Sequence, residues 1–488
     1  MNRRITILFG NIVMALILAL SAPLLFDSPS LISYAEESFD DDFDDVEPVD
    51  IPDVDIDKLG KEDMAVESDF FMGGFVKQVV EYGFDREDRK LSKVQSILNL
   101  ESSYKITDDI KFKISANGFY DAAYAIEGRE EYSKDVLDDN ESDISLRELF
   151  INWKISDHFF LKVGRQIIAW GESDYSRVTD VINPRDMKGP GLTNLEDARL
   201  PVASVRLSFE WDNFTTDLVS IHEHPGSSIG GYGSDFDYYS SLRVPVISVD
   251  DEDTPENTFE NTGFAIRVAK LFNGGDISIY SSKTYDNLPV LRATNIEFSG
   301  PSLSLLSLTP EYHKVKTYGV SGNMAKGSVL YKFDLAFTED RMIMRNDFLS
   351  NITSGMNASE LETFMPKDQI TSLLGIEYTG ISDLRITIEV ENIHTLDFDS
   401  SLATDENDKR VYLQSTYNLL NETLELDLLC VYFERGKGGF ARLSTNYDII
   451  DNLNFEVGII LYGADSEDSI LYYFKDQDRF FSRIKYSF

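Results

Sequence analysis

From residue 70 to the C-terminus the chain repeats one pattern. Segments of about 10 to 14 residues alternate apolar and polar side chains with a period of two. Val329, Tyr331, Phe333, Leu335 and Phe337 interleave with Leu330, Lys332, Asp334 and Ala336. Leu384, Ile386, Ile388 and Val390 interleave with Arg385, Thr387, Glu389 and Glu391, and Phe455, Val457, Ile459 and Leu461 repeat the theme. A helix cannot sort such residues onto two faces, whereas a strand sends successive side chains to opposite sides. The pattern predicts an all-β chain whose strands each carry one apolar and one polar face.

The connections sharpen that expectation. Short polar turns such as Thr107-Asp108-Asp109, Asn273-Gly274-Gly275, Ala325-Lys326-Gly327 and Asp451-Asn452 join pairs of segments. Between those hairpins lie the longer polar stretches 170–199, 223–260, 286–311 and 341–367. Short turns at one end and long loops at the other predict a transmembrane antiparallel β-barrel, with periplasmic turns and external loops. About eighteen strands are expected across 70–488, from 70–83 to 479–488, with sixteen as the alternative. The stretch 290–298 is a further pairing candidate. A sheet in lipid has to close, because an open edge leaves backbone groups unpaired. The chain ends with Phe480, Ile484, Tyr486 and Phe488 at even offsets. This resembles the C-terminal signal read by the barrel-assembly machinery of Gram-negative bacteria, an expected partner alongside outer-membrane lipid.

The N-terminus reads as an address. Arg3 and Arg4 precede the apolar stretch Ile5 to Phe26, and Ser33-Tyr34-Ala35 offers small residues for cleavage after Ala35. Residues 1–35 are therefore expected to be a cleaved signal peptide, with a retained spanning helix as the alternative. Residues 36–69 hold sixteen acidic residues against two lysines, about a third of the chain's formal charge of -40. This segment is expected to be a disordered periplasmic tail, with docking of a periplasmic partner or a divalent ion as the alternative. Asp53, Asp55 and Asp57 resemble the start of a calcium loop, but its turn glycine and distal Glu are missing. The acidic balance argues against a nucleic-acid partner. A single cysteine excludes a disulfide framework.

One block carries a family resemblance. Leu146-Arg147-Glu148, Trp153, Val163-Gly164-Arg165-Gln166, Trp170-Gly171-Glu172-Ser173, Val181-Ile182-Asn183-Pro184-Arg185-Asp186 and Arg199-Leu200-Pro201 resemble domain-of-unknown-function family 1302. The resemblance implies a large porin-like protein of the Gram-negative outer membrane and leaves its solute open. The acidic tail departs from most members.

If the apolar parity faces lipid, the other parity faces the lumen. Early strands then contribute Lys111, Lys113, Lys154 and Lys162, and later strands Glu377, Glu389, Glu391, Glu425 and Asp427. Strands four and thirteen lie opposite in an eighteen-strand barrel, so a transverse field is expected, basic on one wall and acidic on the other. The opposing reading is that these charges are solvated or paired with neighbours. The 170–199 loop offers Glu172, Asp174, Arg177, Arg185 and Asp186, either as a constriction folded into the barrel or as a structured external loop. Trp170 is expected in an interfacial aromatic belt. Arg165 shares parity with Leu161, Val163 and Ile167 and so breaks the alternation, which leaves both lipid and lumen open for it.

No catalytic constellation stands out, and His222 and His224 are too few ligands for a metal site. The expectation is a non-enzymatic channel without cofactor or metal, for passive passage of small solutes. Alternatives are a loop-narrowed barrel carrying a hydrophobic or organic compound, and a docking or structural protein using the acidic tail. The oligomeric state stays open.

Overall fold

The computed structural model describes residues 69–85, 91–193, 198–231, 233–242 and 244–488. The expected signal peptide (1–35) and all of the acidic tail (36–69) except Asp69 fall outside them. In chain order the strands are β1 Phe70–Gly83, β2 Leu91–Thr107, β3 Ile110–Asp121, β4 Ser142–Lys154, β5 Phe159–Gln166, β6 Val202–Trp211, β7 Phe214–Ile221, β8 Ile247–Val249, β9 Gly263–Phe272, β10 Gly275–Tyr285 and β11 Val290–Ser299. They continue as β12 Ser302–Glu311, β13 Lys314–Lys326, β14 Val329–Met344, β15 Phe364–Ile381, β16 Leu384–Thr395, β17 Asn407–Leu419, β18 Leu424–Phe433, β19 Gly438–Ile450, β20 Leu453–Gly463 and β21 Arg479–Ser487.

Eighteen of these strands, all except β8, β11 and β12, form one antiparallel sheet. β1 pairs with β2 on one side and with β21 on the other, from Phe75↔Ser487 to Gly83↔Arg479. The sheet is thus a closed barrel, and the count is eighteen rather than sixteen. Beyond β21, the backbones of Gly74 and Phe488 exchange two hydrogen bonds of 3.0 Å. Phe480, Ile484, Tyr486 and Phe488 all project outward and exposed.

The two faces of the wall obey the alternation. On β16, Ile388 and Val390 are exposed while Thr387, Glu389 and Glu391 are buried. On β10, Ile277 and Ile279 are exposed while Ser278 and Ser282 are buried. A protein in water hides such side chains. Here they cover the outside of the barrel, as a hydrocarbon solvent requires.

The long-loop end carries structure of its own. The connection between β3 and β4 holds two short helices, α1 Ala123–Glu127 and α2 Lys134–Asn140. Ser133 caps α2 by accepting from the Val136 amide at 3.2 Å. The 290–298 stretch does pair, but outside the wall. β11 and β12 form a hairpin, and β12 pairs in parallel with β8. Leu306 and Leu308 on β12 are fully buried beneath Ile247, Leu291, Phe348 and Leu361. Three stretches of the sequence that look like polar loops therefore share one apolar core.

Candidate functional site: the inward loop and the barrel wall

After β5 the chain leaves the wall and turns into the barrel. Asn183 ties the base of this loop. It accepts from the Ile168 amide at 2.7 Å and donates to the Leu200 carbonyl at 2.8 Å and the Gln166 carbonyl at 3.3 Å. One side chain thereby clasps the outgoing and returning strands. Ile168, Trp170 and Ile182 pack on inward residues of four strands: Val202, Val219, Ile221, Ala265 and Tyr280. Trp170 is buried and lies 5.5 Å from the Tyr280 ring, centroid to centroid. This corrects the expected aromatic-belt position. The alternation ends at Gln166, so Trp170 belongs to the loop base and follows its apolar packing rather than the strand's outer face.

The loop then runs along the wall, held by inward side chains. Asp334 on β14 accepts from the amides of Glu172 and Ser173, both at 3.2 Å, and from the Thr179 hydroxyl at 3.1 Å. Glu389 on β16 accepts from the Ser173 hydroxyl at 2.6 Å and the Asp174 amide at 3.0 Å. Glu391 accepts from the Ser176 hydroxyl at 2.7 Å and from Tyr412 at 2.8 Å. Lys332 returns a bond of 2.8 Å to Asp174 and lies 3.5 Å from Glu377. Gly375 on β15 makes room for this, because a Cβ there would sit 3.3 Å from both Lys332 and Glu389. Further on, Arg442 donates to the Gly191 carbonyl at 3.0 Å, Tyr462 to the Pro190 carbonyl at 2.6 Å and Arg483 to the Leu192 carbonyl at 2.5 Å. Gly191 has φ +77° and lies against Phe440, where a Cβ would come within 2.4 Å of the ring.

Within the loop, two of the charges read from the sequence meet around Asp180. Arg185 reaches its carboxylate at 3.3 Å, Arg199 at 3.0 Å, and Arg177 donates to its backbone carbonyl at 2.8 Å. Glu172 accepts from Asn323 at 2.8 Å. It lies in the loop, outside the membrane-spanning strands. Burial pushes its carboxyl up to about 7, with the nearby carboxylates of Asp276 and Asp334 adding to the shift. Asp186 stands apart, exposed in a turn where it accepts from the Lys188 amide at 3.0 Å.

The charges assigned to the lumen all take the inward parity, but their surroundings differ. Lys111, Lys113 and Lys162 are partly exposed. Lys113 lies 3.4 Å from Glu148, and the Lys162 ammonium sits 3.7 Å over the Phe150 ring. Lys154 is exposed at the short-turn end, 2.8 Å from Asp157. Glu377 and Glu425 are partly exposed. Glu389, Glu391 and Asp427 are buried. The first two hold the loop, and Asp427 is taken up by Arg442 at 3.0 Å and Gln414 at 2.7 Å. Arg165 takes the outward parity and bonds the Glu223 carboxylate and, at 3.1 Å, the Leu146 carbonyl. His222 meets the Ser220 hydroxyl at 3.0 Å, and His224 the Asn261 carbonyl at 2.9 Å.

Sequence reading missed Lys332, Asp334, Ser173, Ser176 and Arg442. Lys332 and Asp334 were visible as polar members of an alternating strand. Nothing local marks their partners, which lie about 160 residues away in sequence.

An eighteen-stranded barrel with a loop folded against its inner wall is a porin-like architecture. The chain belongs to the family described as protein of unknown function (DUF1302), whose model matches residues 82–488. No curated protein matches it. Among solved structures it is similar to OccAB3 of Acinetobacter baumannii, with 11% identity, a TM-score of 0.49, and coverage of 86% of this chain and 99% of that one. OccK8 (OprE) of Pseudomonas aeruginosa matches with 9% identity and a TM-score of 0.48, covering 86% and 98%. Salmonella typhi OmpF, in complex with daunomycin, matches with 12% identity and a TM-score of 0.40, covering 86% and 97%.

Proposed function

We propose that this protein is an outer-membrane channel for passive diffusion of small solutes, with a preference for anions. The observation that carries the reading is the one-sided seat of the inward loop. Its base covers β6 to β10, and its tip is bonded to the wall from β13 round to β21. Asp334, Glu389 and Glu391, which would otherwise attract cations, spend their lone pairs on the loop. The wall from β1 to β5 carries inward lysines, Lys77, Lys93, Lys111, Lys113 and Lys162, of which Lys93 lies 3.7 Å from Glu81 and Lys113 3.4 Å from Glu148. A water-filled passage between loop and wall would therefore be bordered by basic groups on its open side, and such groups set selectivity. In this reading the loop is the constriction, the short turns face the periplasm and the long loops face outside.

Planar-bilayer recording in a salt gradient tests the reading. A reversal potential of the sign set by anion flow supports it. Absence of channels, or a cation-selective reversal potential, overturns it.

A further inference from the structure

On the outer face of the barrel, at the long-loop end, three lysines come together. Lys283 on β10 is directly opposite Lys316 on β13, and Lys314 is two residues before Lys316 on the same face. All three share the parity of exposed lipid-facing neighbours, Ile277 and Ile279 on β10 and Tyr318 on β13. Phe264 of β9, also exposed, is opposite Lys283. On β13 the patch begins one outward position from Tyr318, and on β10 Ser281 alone separates Ile279 from Lys283 on the outer face.

Like charges directly opposite on neighbouring strands repel one another. Protein carboxylates answer only part of this. Glu339 meets Lys316 at 2.8 Å. Lys314 donates to the Glu260 carbonyl at 2.6 Å and lies 5.2 Å from the centre of the Tyr285 ring. Lys283 is exposed, and the described residues place no carboxylate within ion-pair distance of it. The contrast lies on the same face near the same end: Arg165 is matched by Glu223, and Lys409 by Glu434 at 3.1 Å. In a chain with a formal charge of -40, three lysines on the lipid side meet one carboxylate at ion-pair distance, with Glu260 and Asp340 acting on Lys314 and Lys316 from further off, and Lys283 is left as the cation that an external anion would answer.

We propose that Lys283, Lys314 and Lys316 form a binding site for the phosphate of a phosphorylated outer-leaflet lipid. The acyl chains would lie along Phe264, Ile279 and Tyr318, and the phosphate would sit at the lysines. A free phosphate would gain the charges but not the apolar surface below them. That surface decides for a lipid as the source.

The site rests on the outer-membrane placement proposed above, so the two are tested separately. Membrane fractionation tests the placement. Native mass spectrometry of the detergent-purified protein tests the site, using bis-phosphorylated lipid A, the same lipid stripped of its phosphates, and inorganic phosphate as probes. The expected result is selective retention of the phosphorylated lipid. Lys283→Gln should weaken that retention about fivefold, the factor for one basic group beside an anionic membrane surface. Glu339→Gln should strengthen it. Lys283 has no ion pair to lose, so its variant keeps the barrel, which the gel mobility of the unboiled protein checks. Lys316→Gln repeats the test on the opposite strand. Equal retention of the two lipids, or undiminished retention by both lysine variants, overturns the site. So does binding of inorganic phosphate as tight as that of the lipid. A protein found in the outer membrane that retains no lipid sinks this inference and leaves the channel reading standing.

Discussion

Asp334 shows how much of this molecule rests on single inward side chains. It is buried and takes two amides and a hydroxyl from a loop that has no regular hydrogen bonding of its own at that point. Asp334→Ala removes the acceptor and strands the donors, at a cost of about 1–3 kcal/mol for each one left buried. The expected readout is a noisier open channel with larger mean conductance. An unchanged trace would mean the loop is held elsewhere. Glu389→Lys should have the same effect, by freeing Ser173 and Asp174, rather than a simple change of ion preference. Glu172 adds a pH dependence. Its carboxyl is raised to about 7, so the folded chain favours the protonated form. That contribution to stability is complete below the usual carboxylate range and is lost as pH rises through about 7. The loop should therefore sit more firmly at pH 5 than at pH 8. Glu172→Gln should flatten this difference, as thermal unfolding at the two pH values would report.

At the scale of elements, the strands and the loops followed different rules. Every barrel strand lies where period-two alternation points, because each strand meets two solvents and must sort its side chains between them. The external sheet of β8, β11 and β12 has no such simple boundary. Its apolar residues meet partners from three separate loops, and no local period records that arrangement. The inward loop was half legible. Its turns and charges were plain, but its direction depends on Lys332, Asp334, Glu389 and Glu391, whose loop partners are distant in sequence. Gly375 offers a test at this scale. Gly375→Leu would fill the space between Lys332 and Glu389 and push residues 173–174 off the wall. The expected result is an intact barrel with raised conductance. A barrel that conducts as the wild type does would show that the loop tolerates the intrusion.

For the molecule as a whole, the proposed channel would take its field from wall and loop together. Strand alternation encodes both an acidic and a basic wall, and in this proposal the loop covers the acidic one and leaves the basic one to the passage. Lys113→Glu combined with Lys162→Glu, on the wall beside Glu148 and Phe150, should lower the anion preference. Reversal potentials measured in a salt gradient would show the shift, and an unchanged value would place the selective region elsewhere. The net charge of the chain does not predict this behaviour, because about a third of it lies in residues 36–69.

The seam between β1 and β21 joins the beginning of the described chain to its end. Phe75 finds Ser487 only after everything between them has been synthesised and delivered. Closing so long a stretch of chain carries an entropic cost that no short-range contact offsets in advance. Until that moment both edge strands present open backbone to any neighbour that will pair with them. β21 thus acts as a timing device: a chain that stops short of it yields a sheet that cannot seal. Removing Ser487 and Phe488 should leave every other strand pair available and still depress the yield of barrel in the membrane.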